Sequence, residues 1–184
     1  MKSRKIIAGI DEVGRGSLIG SVYSAAVILN DDRPISNLTD SKKTSFKNRL
    51  NLANIIMKKA DAVSIGIATR DEIDDINIHY ATLLSMKRAI DNLTIKADII
   101  FIDGKYAPET EIETHTVIKG DNLINQISAA SIIAKVARDN EMLFLNNKIT
   151  QYHFAKNKGY GTKHHLSALS FFGKTIYHRE SFIK

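Results

Sequence analysis

Five acids stand apart from the rest by position. Asp11 closes an apolar run with Glu12 directly behind it, Asp103 closes a second run, and Asp121 follows a third. Asp139 comes later still, inside a mainly apolar stretch. Acids at the carboxyl ends of adjacent buried strands project into one crevice, which is where open α/β sheets place their sites. Carboxylates crowded there repel one another unless a cation stands among them. The chain has no cysteine, so oxygen donors dominate and the expected ion is hard, Mg2+ or Mn2+ rather than zinc. A pair of such ions suits the attacking and leaving oxygens of a phosphodiester. An aspartate after a strand also serves as a turn residue or helix cap, so each acid taken singly carries both readings.

Two geometric conditions follow. Neighbours on a strand point to opposite faces, so Asp11 and Glu12 share one ion only if the strand ends or bends there, or if Glu12 offers its backbone carbonyl. Gly14 and Gly16 supply residues able to make that bend. Asp139 lies about five helical turns beyond Asp121, about 27 Å along one continuous helix. Both serve one site only if the chain at 122–127 is not helical and folds back. Asp121 ranks first because it is expected at a strand end, while Arg138 and Asp139 read equally well as surface charges. The segment Gly14-Arg15-Gly16-Ser17-Leu18-Ile19-Gly20 is no nucleotide loop: its glycine spacing misses the dinucleotide fingerprint, and no Walker sequence exists. It does offer backbone amides beside an arginine, suited to a phosphate or sugar hydroxyl.

The elements that must position these groups follow from periodicity. Short apolar runs predict strands at 5–11, 20–29, 62–68, 97–102 and 114–118. Helical spacing predicts helices at 44–57, 79–93, 128–146 and 163–172. Strands first, then helices and strands in alternation, argue for α/β with a mixed sheet. The 184 residues suit one domain, with no linker or repeat, and need no disulfide for stability.

Charge narrows the partner. The formal net charge is +6, and residues 151–184 hold six basic groups against one acid, Glu180. His153, His164, His165 and His178 fall there too, interleaved with Tyr152, Tyr160 and Tyr177. Such a segment reads as a basic, aromatic-bearing surface for phosphates and stacked bases, or as a merely solvated face. No apolar run reaches membrane-spanning length, and the start is too short in apolar residues for a signal peptide, so a cytoplasmic setting is expected.

These residues together resemble the ribonuclease HII family. The motifs are Gly9-Ile10-Asp11-Glu12-Val13-Gly14-Arg15-Gly16, Asp40-Ser41-Lys42-Lys43, Asp103-Gly104, Lys119-Gly120-Asp121, the run from Ile127 to Asp139, Gly159-Tyr160-Gly161-Thr162, His165 and His178-Arg179-Glu180-Ser181-Phe182. They span nearly the whole chain in the family's order. The resemblance implies a ribonuclease H-like fold, a mixed sheet flanked by helices with a helical C-terminal segment. It implies Asp11, Glu12, Asp103 and Asp121 as metal-binding catalytic carboxylates, with Asp139 as an auxiliary acid.

By the same resemblance, Gly14, Arg15 and Gly16 grip the ribonucleotide, Tyr160 stacks on the sugar of the next deoxynucleotide, and Ser41, Lys42 and Lys43 follow the phosphate backbone. The implied substrates are RNA–DNA hybrids and DNA duplexes containing ribonucleotides, cut 5′ to the ribonucleotide with two Mn2+ or Mg2+ ions. A monomer with no obligate protein partner is expected. Ser17, Ser21 and Lys174 stand where the family commonly has proline, which affects loop stiffness rather than catalytic groups. The rival readings are a basic nucleic-acid-binding module without catalysis and a metal-dependent DNA nuclease.

Overall fold

The computed structural model describes residues 5–38 and 45–183. Five strands, β1 (Ile7–Val13), β2 (Val22–Ile28), β3 (Ala62–Ala68), β4 (Ile99–Asp103) and β5 (Glu113–Val117), form one sheet in the order β3-β2-β1-β4-β5. The pairs β1–β2 and β2–β3 are antiparallel, whereas β1–β4 and β4–β5 are parallel. The sheet is therefore mixed, as expected, and β1 lies at its centre. Central strands are covered on both faces, which explains their nearly unbroken apolar sequences.

Helix α1 (Phe46–Lys59) and helix α3 (Asn125–Lys148) cover one face, burying Ala53, Ile56, Ala129 and Ile133 against Ala25 and Val27. Helix α2 (Arg70–Asp91) covers the other, where Met86 and Ala89 meet Ala8, Ile10, Ile100 and Ile102. The sheet comes close to α3 at Gly9, where a β-carbon would stand 2.1 Å from the Gln126 carbonyl carbon. On α1 the expected apolar face is only half used, since Phe46, Leu50 and Met57 are exposed.

Helix α2 begins at Arg70, well before the expected 79. Thr69 and Glu72 form a reciprocal cap, and Asn77 interrupts the helix at φ +64°. The Asn77 side chain accepts from the His79 amide, so the predicted start coincides with the second helical segment. Glu72 also pairs with Arg88 at 2.6 Å, and this hydrogen bond with the cap holds its carboxyl down to about 2. Glu72→Gln is expected to cost about 1 kcal/mol at neutral pH, discounted for exposure. The cost should be full above pH 4.5 and vanish as pH falls through about 2. Urea unfolding of both proteins at pH 7 and pH 2.5 measures it; a pH-independent difference would exclude the ionic contribution.

The C-terminal chain, with α4 (Phe154–Asn157) and α5 (Lys163–Phe172), folds back on α3 and buries Tyr152, Phe154 and Ala168 with Ile19, Met142 and Leu145. The segment expected to form a basic, aromatic surface is exposed only in part. Tyr152, His165, His178 and Arg179 are all buried, so the segment's cations and rings are only partly presented to a partner. Among the described residues no helix is long and apolar enough to cross a membrane.

Candidate active site

The pairing of β1 with β4 stops at Ile10–Ile102, and the acids follow directly on both strands. By alternation, Asp11 and Asp103 face α3, while Glu12 shares the α2 face with Ile10. The strand neither ends nor bends at Glu12, which stays paired to Ser24, and the bend comes at Gly14 with φ +99°. Glu12 nevertheless reaches the common region past the last β1–β4 pair. Asp11, Glu12 and Asp103 line one cleft, with Val13, Arg49, Ser131, Ile132, Lys135 and Tyr160 around them.

Burial dominates the electrostatics of this cleft. Asp11 is 6% exposed, and burial, with Glu12 and Asp103 nearby, pushes its carboxyl up to about 7. The Glu12 amide at 2.8 Å and the Ser131 side chain oppose that shift. Glu12 is also raised, chiefly by burial and against the pull of Arg15, whose guanidinium lies 3.7 Å away. Three mutually repelling acids, poorly hydrated and offering only oxygen, fit a hard divalent cation. Among the described residues no three such side chains are already gathered tightly enough to enclose an ion.

Asp121 does not end a strand. Strand β5 stops at Val117, and Asp121 lies on the short 3-10 turn Gly120–Asn122 that leads into α3. The Gly120 amide donates to Asp103 at 2.7 Å, so Asp103 anchors the turn that carries Asp121. Asp121 is buried, its carboxylate accepts from Asn122, and it does not line the cleft shared by the other three.

Asp139 sits in the second half of the unbroken helix α3, well along it from Asp121, which lies on the turn before the helix begins. It is 1% exposed, accepting from Lys135 at 2.8 Å, with Arg49 at 3.9 Å. Its neighbour Arg138 is fully buried, which removes the surface-charge reading for both. Ser131, Lys135 and Asp139 follow one another at helical spacing, linking Asp11 to a second cleft lined by Phe46, Arg49, Lys158 and others.

Gly14 passes so close to Arg138 that a β-carbon would meet its Nε at 2.2 Å. Gly16 is open, with Tyr160 its nearest neighbour at 3.8 Å from that point. The loop and the tyrosine are stitched together by a bridge between Ser17 and Tyr160 and by the Leu18 amide donating to Gly159 at 2.9 Å. Gly16 and Tyr160 therefore stand side by side, Tyr160 lining the cleft of the acids, while Arg15 meets Glu12 in an adjoining cleft that Glu12 and Asp103 also line. Ser41, Lys42 and Lys43 lie outside the described residues. Sequence reading missed Arg49, Ser131 and Lys135; the last two were detectable as polar positions four apart within the mainly apolar run from Ile127 to Ala137.

A family profile described as Ribonuclease HII matches residues 8–184. The chain belongs to the ribonuclease HII family. The ribonuclease HII of Shewanella piezotolerans is 52% identical over 175 residues, covering 95% of this chain and 87% of the relative. That of Alteromonas mediterranea is 50% identical over 178 residues, covering 97% and 94%. A chain in the structure of the PCNA:RNase HII complex from Archaeoglobus fulgidus superposes with a TM-score of 0.82 at 25% identity, covering 97% of this chain and 96% of that one. The fold is thus ribonuclease H-like and the protein is a ribonuclease H hydrolase, an endonuclease acting on the RNA of RNA–DNA hybrids.

Proposed function

We propose that this enzyme hydrolyses the phosphodiester 5′ to a ribonucleotide, both in RNA–DNA hybrids and at single ribonucleotides embedded in duplex DNA. The observation that carries this reading is the meeting of Asp11, Glu12 and Asp103 in one cleft with Tyr160, which stands beside Gly16, while Arg15 pairs with Glu12. Water attacks phosphorus, the bond to the 3′-oxygen breaks, and the products are a 3′-hydroxyl and a 5′-phosphate. Two divalent ions, Mg2+ or Mn2+, would be held by Asp11, Glu12 and Asp103, with Asp121 brought in from the adjoining turn that Asp103 anchors, and would supply water activation and leaving-group stabilisation. No side chain acts as a nucleophile.

The protein's own groups select and orient the substrate. Backbone groups of Gly14, Arg15 and Gly16 engage the 2′-hydroxyl, the group by which RNA differs from DNA. The half-exposed Tyr160 stacks on the sugar of the following deoxynucleotide and so senses an RNA-to-DNA junction. Lys135 and Arg49, at the cleft edge, attract phosphates, and Asp139 keeps both in place. Ser41, Lys42 and Lys43 would follow the phosphate backbone.

The test is cleavage of a DNA duplex containing one ribonucleotide, with Mg2+, Mn2+ or chelator, beside an all-DNA duplex. A metal-dependent cut 5′ to the ribonucleotide is expected, with the all-DNA duplex intact. Tight binding without cutting would favour a binding module, and cutting of the control a general nuclease. Tyr160→Ala should lower kcat/KM on the single-ribonucleotide duplex about tenfold, the loss of one stacking contact, and on a long hybrid much less. Equal losses on both substrates would remove the junction-sensing role.

A further inference from the structure

The glycine loop is tied to the segment that carries Tyr160 and to the C-terminal chain through groups that have no role in the chemistry above. Arg179 and Arg138 are both fully buried, and their forks contact backbone carbonyls. Arg179 donates through Nε to the Gly20 carbonyl at 2.9 Å and through its terminal nitrogens to those of Arg15 at 3.0 Å and Ser21 at 3.2 Å. Arg138 donates to the carbonyl of Lys158 at 2.9 Å, two residues before Tyr160, and to that of Ile19 at 3.3 Å. A buried guanidinium needs acceptors that replace its water. Here those acceptors are backbone carbonyls of the glycine loop and of the segment that carries Tyr160, so the two arginines fix one against the other.

Beside this clamp, His165 and His178 form a buried pair with Nε2 atoms 3.2 Å apart. Their protons can be placed by elimination. The Thr175 amide donates to His178 Nδ1 at 2.9 Å, so that nitrogen accepts and the proton of neutral His178 is on Nε2. At the other end, His165 Nδ1 lies 3.0 Å from the Tyr160 carbonyl, which only accepts, so His165 carries its proton there. His165 Nε2 is then free to accept from His178. Burial pushes both imidazoles down, His178 to about 4, and keeps the pair neutral as this ordering requires. The donors run in one direction, from the Thr175 amide through both rings to the backbone of Tyr160.

We propose that His178 and His165 are positioning residues for Tyr160, transmitting the placement of the C-terminal segment to the side chain that reads the RNA-to-DNA junction. This rests on the junction-sensing reading of Tyr160 proposed above. Neither histidine touches the cleft. Without the pair, the Tyr160 carbonyl keeps the Thr162 amide at 2.8 Å but loses the ring that holds it from the C-terminal segment, and the tyrosine is less often parallel to the sugar it stacks on.

The test is a double-mutant cycle with two substrates, a DNA duplex with one ribonucleotide and a long RNA–DNA hybrid. His178→Ala should lower kcat/KM on the first about fivefold more than on the second, the value of one hydrogen bond. His178→Gln, which keeps a donor near the Nε2 position, should recover most of that selectivity. His178→Asn, which keeps the acceptor for Thr175 but not the donor, should behave as alanine does. In a Tyr160→Ala background, His178→Ala should cost no further selectivity. Melting temperatures at each step separate this from general loosening. Should the alanine variant unfold, Asn against Gln decides alone. Equal losses on both substrates, equal selectivity of Asn and Gln, or the same extra loss without the tyrosine ring would each overturn the proposal. If instead Tyr160→Ala leaves selectivity unchanged, the junction-sensing reading itself has failed.

Discussion

Asp11→Asn is expected to reduce cleavage by about 10³-fold while making the metal-free protein more stable. The first effect follows from the proposed role of Asp11 in holding the cations that would offset the developing charge. The second follows from the cost of ionising a buried acid between Glu12 and Asp103. The folded-state value is raised, from 3.8 to about 7, so the unfolded chain releases this proton more readily. Below pH 3.8 both states hold the proton and ionisation costs nothing. Between pH 3.8 and about 7 the cost grows, and above that it is full.

Thermal or urea unfolding in chelator at pH 8 should therefore show the asparagine variant more stable by about 2–4 kcal/mol, with the two curves converging near pH 4. Added Mg2+ should stabilise the unmutated protein and the variant much less, since an ion that binds only the folded state adds to its stability. A variant that is less stable at pH 8, or one that keeps its activity, would make Asp11 a structural residue. Nucleic-acid binding should be nearly unchanged, because Arg15, Lys135 and Arg49 remain.

Gly9→Ala is expected to destabilise by about 3 kcal/mol or more, one of the largest single effects of a methyl group in this chain. The added β-carbon would stand 2.1 Å from the Gln126 carbonyl carbon and 2.2 Å from the Ile127 nitrogen. Both are backbone atoms at the start of α3, so no flexible side chain can give way. Gly9 is paired on both sides, to Val27 and to Phe101, so the strand cannot retreat either. The helix must lift, and with it Ser131, which hydrogen-bonds Asp11. Activity should fall together with stability. Gly16→Ala provides the contrast, because its β-carbon meets nothing nearer than Tyr160 at 3.8 Å. It should leave the urea midpoint nearly unchanged while weakening ribonucleotide recognition. Equal midpoints for Gly9→Ala and the unmutated protein would mean that α3 does not rest on β1 as described.

Local periodicity made much of the fold legible. Strand β3 and helix α5 occupy the expected residues, 62–68 and 163–172, because each has one clear apolar face between turn or cap residues. The mixed sheet followed from the order of elements. Asp11, Glu12 and Asp103 meet at one place, since the pairing of the parallel neighbours β1 and β4 stops at Ile10–Ile102 and the acids are the next residues on each. Reading Asp121 as a strand end failed because a left-handed residue at Lys119 and the Gly120 turn intervene after β5. Those backbone choices depend on the close packing of Ile127 against Gly120, which no local pattern reports.

The amino-acid order by itself determined which faces are apolar, where strands and helices alternate, and which oxygen donors follow the strands, since each depends on neighbours a few residues apart. Only the tertiary structure decided which charged and polar groups are buried. Asp139 is held by Lys135 one turn away but also by Arg49, ninety positions earlier, and Arg179 bonds to carbonyls at Arg15, Gly20 and Ser21. A charged side chain enters the interior only where partners from distant segments converge to replace its water, and that convergence exists only once the chain has folded.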